Sequence, residues 1–211
     1  MECGKFITVE GIEGVGKSTN IDFLTAAIEQ RGHAVITSHE PGGTPMADRI
    51  RQLLKEHGDE PMPDIAELLL MFAARALHVN NLIQPALAAG TWVICDRFTD
   101  SSRAYQGAGR GLPQEDINRL VEWVHGDLQP DLTILLDAPA ATGMSRAGKR
   151  GAPDRIEIER EDFFERVRQC YLELAENEPE RFVVIDANRD LDSVQRDLGA
   201  VVEALCNDMS L

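Results

Sequence analysis

At 211 residues, with 43% hydrophobic and 27% charged side chains, the chain is long enough for one sizeable core and has the make-up of a globular soluble protein. Its 21 basic against 36 acidic residues leave a net charge of −15, which excludes a general nucleic-acid binder but not a site for small anions built from local cations and backbone N–H groups. No apolar run approaches the roughly 20 residues that cross a bilayer, and Met1-Glu2-Cys3-Gly4-Lys5 lacks a signal-peptide shape, so no membrane partner and a cytoplasmic location are expected.

In chain order, Phe6–Val9 reads as a strand ending at Glu10 and Gly11, and Lys17–Gln30 as a helix with Ile21, Leu24 and Ile28 on one face. Ala34–Thr37 is a second strand. The turn Glu40-Pro41-Gly42-Gly43-Thr44 opens a helix through Glu56. Asp64 is expected to cap a long helix running to Ala88, bent near Pro85. Trp92–Cys95 is a third strand, a Gly-rich stretch covers Gln106 to Gly111, and a helix starts near Pro113. Leu132–Leu136 and Phe182–Ile185 are the fourth and fifth strands. The strands are almost wholly apolar, as parallel strands covered on both faces are. The expected fold is α/β: a single domain over residues 1–211, with a three-layer, five-stranded parallel sheet flanked by helices. Residues 145–157 turn basic, then Gly/Pro-containing, then densely charged, and read as a mobile lid between two helices. Cys3, Cys95, Cys170 and Cys206 are too scattered for a zinc site and are expected to be reduced thiols.

The sharpest motif is Gly11-Ile12-Glu13-Gly14-Val15-Gly16-Lys17-Ser18, with Thr19 following, which fits G-x-x-x-x-G-K-[ST] between a strand and a helix. Such a P-loop wraps phosphates with backbone N–H groups at a helix N-terminus. Lys17 reaches the β- and γ-phosphates, and Ser18 offers a hydroxyl to Mg²⁺. The motif specifies nucleotide binding, not the reaction. No Asn-Lys-x-Asp segment points to a GTPase, and the length suits a small-molecule kinase.

Four further segments narrow the choice: Glu40–Thr44, Phe72-Ala73-Ala74-Arg75, Asp96-Arg97-Phe98-Thr99-Asp100-Ser101-Ser102-Arg103-Ala104-Tyr105-Gln106-Gly107, and Asp154-Arg155-Ile156-Glu157. With the P-loop they resemble the thymidylate kinase family, in order and spacing, from about residue 5 to 187. The resemblance implies ATP and dTMP as substrates, dTDP and ADP as products in dTTP synthesis, Mg²⁺ as cofactor, and a homodimer. Within P-loop residues 12 to 15 there is no Arg, so the resemblance is to the bacterial form that carries its catalytic arginines in the lid.

For the individual residues, Asp96 is a strand-end acid suited to hydrated Mg²⁺, with a turn-capping role as the alternative and Asp137 in a similar position. Arg97 suits bidentate contact with the acceptor phosphate. Arg51 is either a second cation for that phosphate or part of a solvated helix face. By resemblance Phe72 stacks on thymine and Arg75 reaches its O4 edge; some members space the pair by four residues, which makes Met71 the alternative. Also by resemblance, Glu13 faces the deoxyribose 3′-hydroxyl or metal water, and Pro41, Ser101, Ser102, Tyr105 and Gln106 line the acceptor pocket. Of the lid cations Arg146, Lys149, Arg150 and Arg155, the leading catalytic candidates beside Lys17 and Arg97 are Arg150 and Arg155.

The nucleophile would be a phosphate oxygen already anionic at neutral pH, its second pKa being about 6, so no general base is required. His33, His39, His57, His78 and His125 are scattered and receive no chemical role. Two other functions stay open: a deoxynucleoside kinase, which would need a general base, and a nucleotide-binding protein without turnover.

Overall fold

A computed structural model describes residues 3–56, 60–148, 155–156 and 158–207. Its centre is one parallel five-stranded sheet of β1 (Phe6–Glu10), β2 (Val35–His39), β3 (Trp92–Asp96), β4 (Leu132–Asp137) and β5 (Phe182–Asp186), in the order β2-β3-β1-β4-β5. The three inner strands are almost fully buried, while the edge strands β2 and β5 keep partly exposed positions. Strand alternation divides the core. Ile7, Val9, Trp92 and Ile94 pack on one face with Leu24, Ile28, Phe164 and Leu198, and Phe6, Val93 and Cys95 pack on the other with Val79, Ile83 and Phe98.

The helices follow as α1 (Lys17–Glu29), α2 (Pro45–Lys55), α3 (Asp64–His78), α4 (Gln84–Ala88), α5 (Thr99–Ser102), α6 (Gln114–Val124), α7 (Ala140–Ala147), α8 (Glu161–Asn177) and α9 (Leu191–Asn207). Thr44 caps α2, its hydroxyl accepting the Ala47 N–H, with Pro45 at the first helical position where its missing N–H costs nothing. Two expectations need correction. Pro63, not Asp64, occupies the N-cap of α3, and Asp64 serves as a first-turn acid beside the helix dipole. The long helix is interrupted by a wide π turn at Val79–Ile83, ahead of the expected bend at Pro85. Pro85 has no N–H for the carbonyl four residues back, and the turn before it widens to absorb the defect.

The segment after β3 is more ordered than its glycines suggest. It forms α5 and then a second π turn, Arg103–Gly109, packed on α8. A Cβ on Gly109 would come within 2.6 Å of the Phe163 ring, so glycine here permits close packing rather than looseness. Among the described residues, no helix is long and apolar enough to cross a membrane.

Register brings the chemistry together. Val9 pairs with Asp96 and Glu10 with Leu135, so the P-loop leaves β1 beside the Asp96-Arg97 end of β3, in the crevice at the carboxyl ends of the strands.

Candidate active site

The loop Gly11–Ser18 joins β1 to α1 with Gly11, Gly14 and Gly16 at φ of 134°, 75° and 90°. Gly14 also has no room for a side chain: a Cβ there would lie 2.0 Å from the Gly143 carbonyl oxygen of α7. The approach is mutual, since a Cβ on Gly143 would lie 2.4 Å from the Glu13 carbonyl oxygen. Ile12 and Val15 send their side chains into the core. Glu13, Gly14, Gly16, Lys17, Ser18 and Thr19 line a cavity of about 470 Å³, a size that suits a small ligand. Lys17 Nζ donates to the Gly11 and Ile12 carbonyls at 3.1 and 3.0 Å. Burial, then the charge of Arg97, pulls its pKa down to about 8.

Arg97 is the hub of the site. Among the described residues it is the one non-glycine with left-handed backbone, φ 71°, a conformation that costs about 1 kcal/mol or more. That turn sends its guanidinium back under the P-loop. Nη1 donates to the Gly11 carbonyl (2.9 Å), Ser101 Oγ (3.2 Å) and the Tyr171 hydroxyl (3.3 Å). Nη2 donates to Glu13 Oε1 (2.8 Å) and the Tyr105 hydroxyl (2.9 Å), and Tyr105 in turn donates to Glu13 Oε2 (2.7 Å). Glu13 thus has its charge offset by Arg97. Behind them Glu10, fully buried, accepts from the Phe98 N–H, Ser101 and Tyr171 at 2.7, 2.6 and 2.8 Å. Burial, then Asp100, pushes its pKa up to about 7.

A second wall comes from α3 and the turn after β2. Arg75, buried, donates through Nε to Glu40 Oε2 (2.7 Å) and through Nη2 to the Phe98 carbonyl and Ser102 Oγ, both at 3.1 Å. Its Nη1 is buried and meets no acceptor among the described residues. Glu40 is held by a relay that sequence reasoning did not find: Ser38 Oγ lies 2.6 Å from His78 Nε2, and His78 Nδ1 lies 3.0 Å from Glu40 Oε1. Burial alone would raise the Glu40 pKa, but Arg75 and His78 hold it below the usual range. Met71 and Arg75 line the cavity. Phe72 packs with Leu68 and Ile117, its ring 4.6 Å from the Arg75 guanidinium carbon, so it supports the wall from behind. Pro41, Arg51, Asp96, Arg97, Ser101, Ser102, Tyr105 and Gln106 also face the cavity. Arg51 Nη1 donates to the Pro41 carbonyl at 2.8 Å, across the turn.

The two strand-end acids differ. Asp137 is clasped by Arg168, Nε to Oδ1 at 2.7 Å and Nη2 to Oδ2 at 2.9 Å. Asp96 Oδ1 is buried without a hydrogen-bond partner among the described residues. Among the lid candidates, Lys149 and Arg150 lie outside the described residues. Arg155 is not brought to the phosphate cradle. Its Nε donates to the Leu54 carbonyl (3.1 Å) and its Nη2 to Glu67 Oε2 (2.6 Å), because a buried carboxylate there demands a counter-charge. Arg146 does line the cavity and donates to the Ala187 carbonyl at 2.9 Å. Tyr171 and Glu10 were also missed: one looks like an ordinary core aromatic on a helix, the other like the polar end of a strand.

Comparisons with known proteins agree with one another. The family model described as Thymidylate kinase matches residues 9–198. The thymidylate kinase of Alcanivorax borkumensis is 53% identical over 202 residues, covering 96% of this chain and 97% of that protein. That of Methylococcus capsulatus is 52% identical over 205 residues, covering 97% and 98%. The crystal structure of thymidylate kinase from Ehrlichia chaffeensis superimposes with a TM-score of 0.76 at 31% identity, over 95% of this chain and 99% of that one. With a family model spanning most of its length and full-length relatives at about half identity, the chain belongs to the thymidylate kinase family.

Proposed function

We propose that the protein transfers the γ-phosphoryl group of ATP to dTMP, giving dTDP and ADP. The observation that carries this reading is one cavity lined both by the P-loop and by the Met71, Arg75 and Gln106 wall, with Arg97 between them. The orphaned Arg75 Nη1 is a buried donor that a base carbonyl on the acceptor would satisfy. Lys17 and the loop backbone take the ATP phosphates. Arg51 takes the acceptor phosphate, and Arg97, whose Nη groups are held by Gly11, Ser101, Glu13 and the tyrosines, adds its positive charge beside it. Glu13 and Tyr105, joined at 2.7 Å, stand beside the deoxyribose. The phosphate oxygen attacks γ-phosphorus in line, and catalysis comes from positioning and charge neutralisation. Arg150 is the proposed lid cation, with Arg146 a further lid candidate that lines the cavity; the absence of Arg among residues 12 to 15 supports that lid type.

Ser18 and Asp96 are the residues that would hold Mg²⁺. Its ordinary coordination by few protein groups and several waters fits this pair, and the unpartnered Asp96 oxygen marks the acidic side. When bound, the ion neutralises charge on the β- and γ-oxygens. Asp96→Asn is expected to raise the Mg²⁺ concentration for half-maximal turnover by about tenfold or more. Asp137→Asn should leave it unchanged while lowering stability by about 1 kcal/mol through loss of the Arg168 clasp. A Mg²⁺ titration of both variants, paired with urea unfolding, reads this, and equal Mg²⁺ requirements would remove Asp96 from the metal side.

We also propose a homodimer through α3. Its exposed Ile65 and Leu69 are 50% and 52% accessible and lie one turn apart, forming an apolar stripe that a second copy would cover. Among the described residues Cys3, Cys95, Cys170 and Cys206 are thiols rather than disulfides, which fits a reducing compartment and supports the cytoplasm.

The function is tested by ADP release with Mg²⁺-ATP and a panel of dTMP, dUMP, dCMP, AMP, GMP and thymidine. Strong preference for dTMP is expected. Turnover of thymidine without dTMP would make the protein a nucleoside kinase, and silence in a folded sample would make it a binding protein.

A further inference from the structure

Glu67 is a buried carboxylate one helical turn before Met71 and two before Arg75 on α3, and it lies outside every motif of the sequence. Gln106, on the cavity wall and itself buried, donates from Nε2 to Glu67 Oε1 at 2.7 Å. The other carboxylate oxygen takes Arg155 Nη2 at 2.6 Å and Arg110 Nη2 at 3.3 Å. Burial alone would neutralise such a group, but Gln106, Arg110 and Arg155 hold its pKa below the usual range. An ionised carboxylate only accepts hydrogen bonds. The Gln106 amide can therefore face it in one orientation only, with the NH₂ on Glu67 and the carbonyl oxygen turned away.

We propose that Glu67 is a specificity-determining positioning residue: by fixing the amide orientation of Gln106, it makes the cavity wall present an acceptor there, beside the free donor of Arg75. The inference rests on the acceptor reading above. A donor at Arg75 Nη1 and an acceptor at Gln106 match a pyrimidine with a 4-carbonyl and an N3–H. They mismatch a pyrimidine with a 4-amino group and a bare N3, which leaves both wall groups unpaired. Glu40 fixes the donor half of this pattern by binding Arg75, and Glu67 fixes the acceptor half.

The test compares kcat/KM for dTMP and dCMP in wild type, Glu67→Gln and Glu67→Asp. A glutamine at 67 both donates and accepts, so Gln106 is released to turn over. The ratio of dTMP to dCMP is expected to fall by about tenfold in Glu67→Gln, the worth of one hydrogen bond of middling strength, with KM for ATP unchanged. Glu67→Asp, still acceptor-only, should retain most of the discrimination. An equal loss on both nucleotides, or the same loss in Asp and Gln variants, would make Glu67 merely structural and overturn the proposal. Should Glu67→Gln fail to fold, the side-chain amide of Gln106 in wild type decides by NMR. One Nε2 proton slow to exchange with and without dTMP supports the fixed amide, and free exchange overturns it. A wild type that does not prefer dTMP to dCMP would sink the acceptor reading itself, a result distinct from any in the variants.

Discussion

Arg97→Ala is expected to lower kcat/KM for dTMP by about a thousandfold, and to destabilise the fold by about 3 kcal/mol. The activity loss follows from its place between the P-loop and the acceptor wall. The stability loss follows because Glu13, Ser101, Tyr105 and Tyr171 all lose a donor at one stroke, and Glu13 loses the guanidinium that pairs its charge. The backbone supplies a second readout. Position 97 sits at φ 71°, so Arg97→Gly should be as inactive as Arg97→Ala yet more stable by about 1 kcal/mol, glycine being unstrained there. Steady-state kinetics with urea unfolding of both variants would check this. Activity within tenfold of wild type would remove Arg97 from the reaction, and equal stability of the two variants would remove the strain argument.

Lys17→Ala is expected to reduce kcat by about a thousandfold or more while leaving the melting temperature nearly unchanged. The ammonium is bound by loop carbonyls and held in its charged form at a cost, which is why its pKa falls to about 8. Two pH effects follow. In the free enzyme, kcat/KM for ATP should decline above about pH 8, while kcat, which reads the ATP complex, holds to higher pH because phosphate charge stabilises the ammonium. For stability, the sign runs the other way. An unfolded lysine keeps its proton to near 10.5, so between about 8 and 10.5 the unfolded chain binds more protons and wild-type stability gains from rising pH. Lys17→Ala should lack that gain. Turnover within tenfold of wild type in the variant would sink the cradle assignment.

Much of this was legible in the sequence because it is written locally. The apolar runs became buried parallel strands, and the P-loop falls in its expected strand-to-helix context. What was illegible is what distant segments decide. The glycines near 107–109 suggest a loop, but packing against Phe163 on α8 makes a helical turn of them. Asp96 and Asp137 are indistinguishable as strand-end acids until Arg168 takes one of them. His78 appears as one of several scattered histidines, and only the fold lines it up between Ser38 and Glu40. Arg155 reads as a phosphate-seeking lid cation, yet Glu67, distant in sequence on α3, claims it. Phe72 looks like the stacking aromatic, and the helical turn instead brings Met71 to the cavity and leaves the ring under Arg75.

The mutual approach of Gly14 and Gly143 bears on what counts as the nucleotide-binding motif. The eight-residue pattern is defined along the chain, but the space it needs is defined in three dimensions, and α7 supplies one wall of it from far downstream. Gly143 answers to no pattern search, yet its missing side chain is as much a condition of the loop's shape as the glycines inside the motif. The signature is therefore discontinuous, and a variant at 143 belongs with P-loop variants rather than with changes to a peripheral helix.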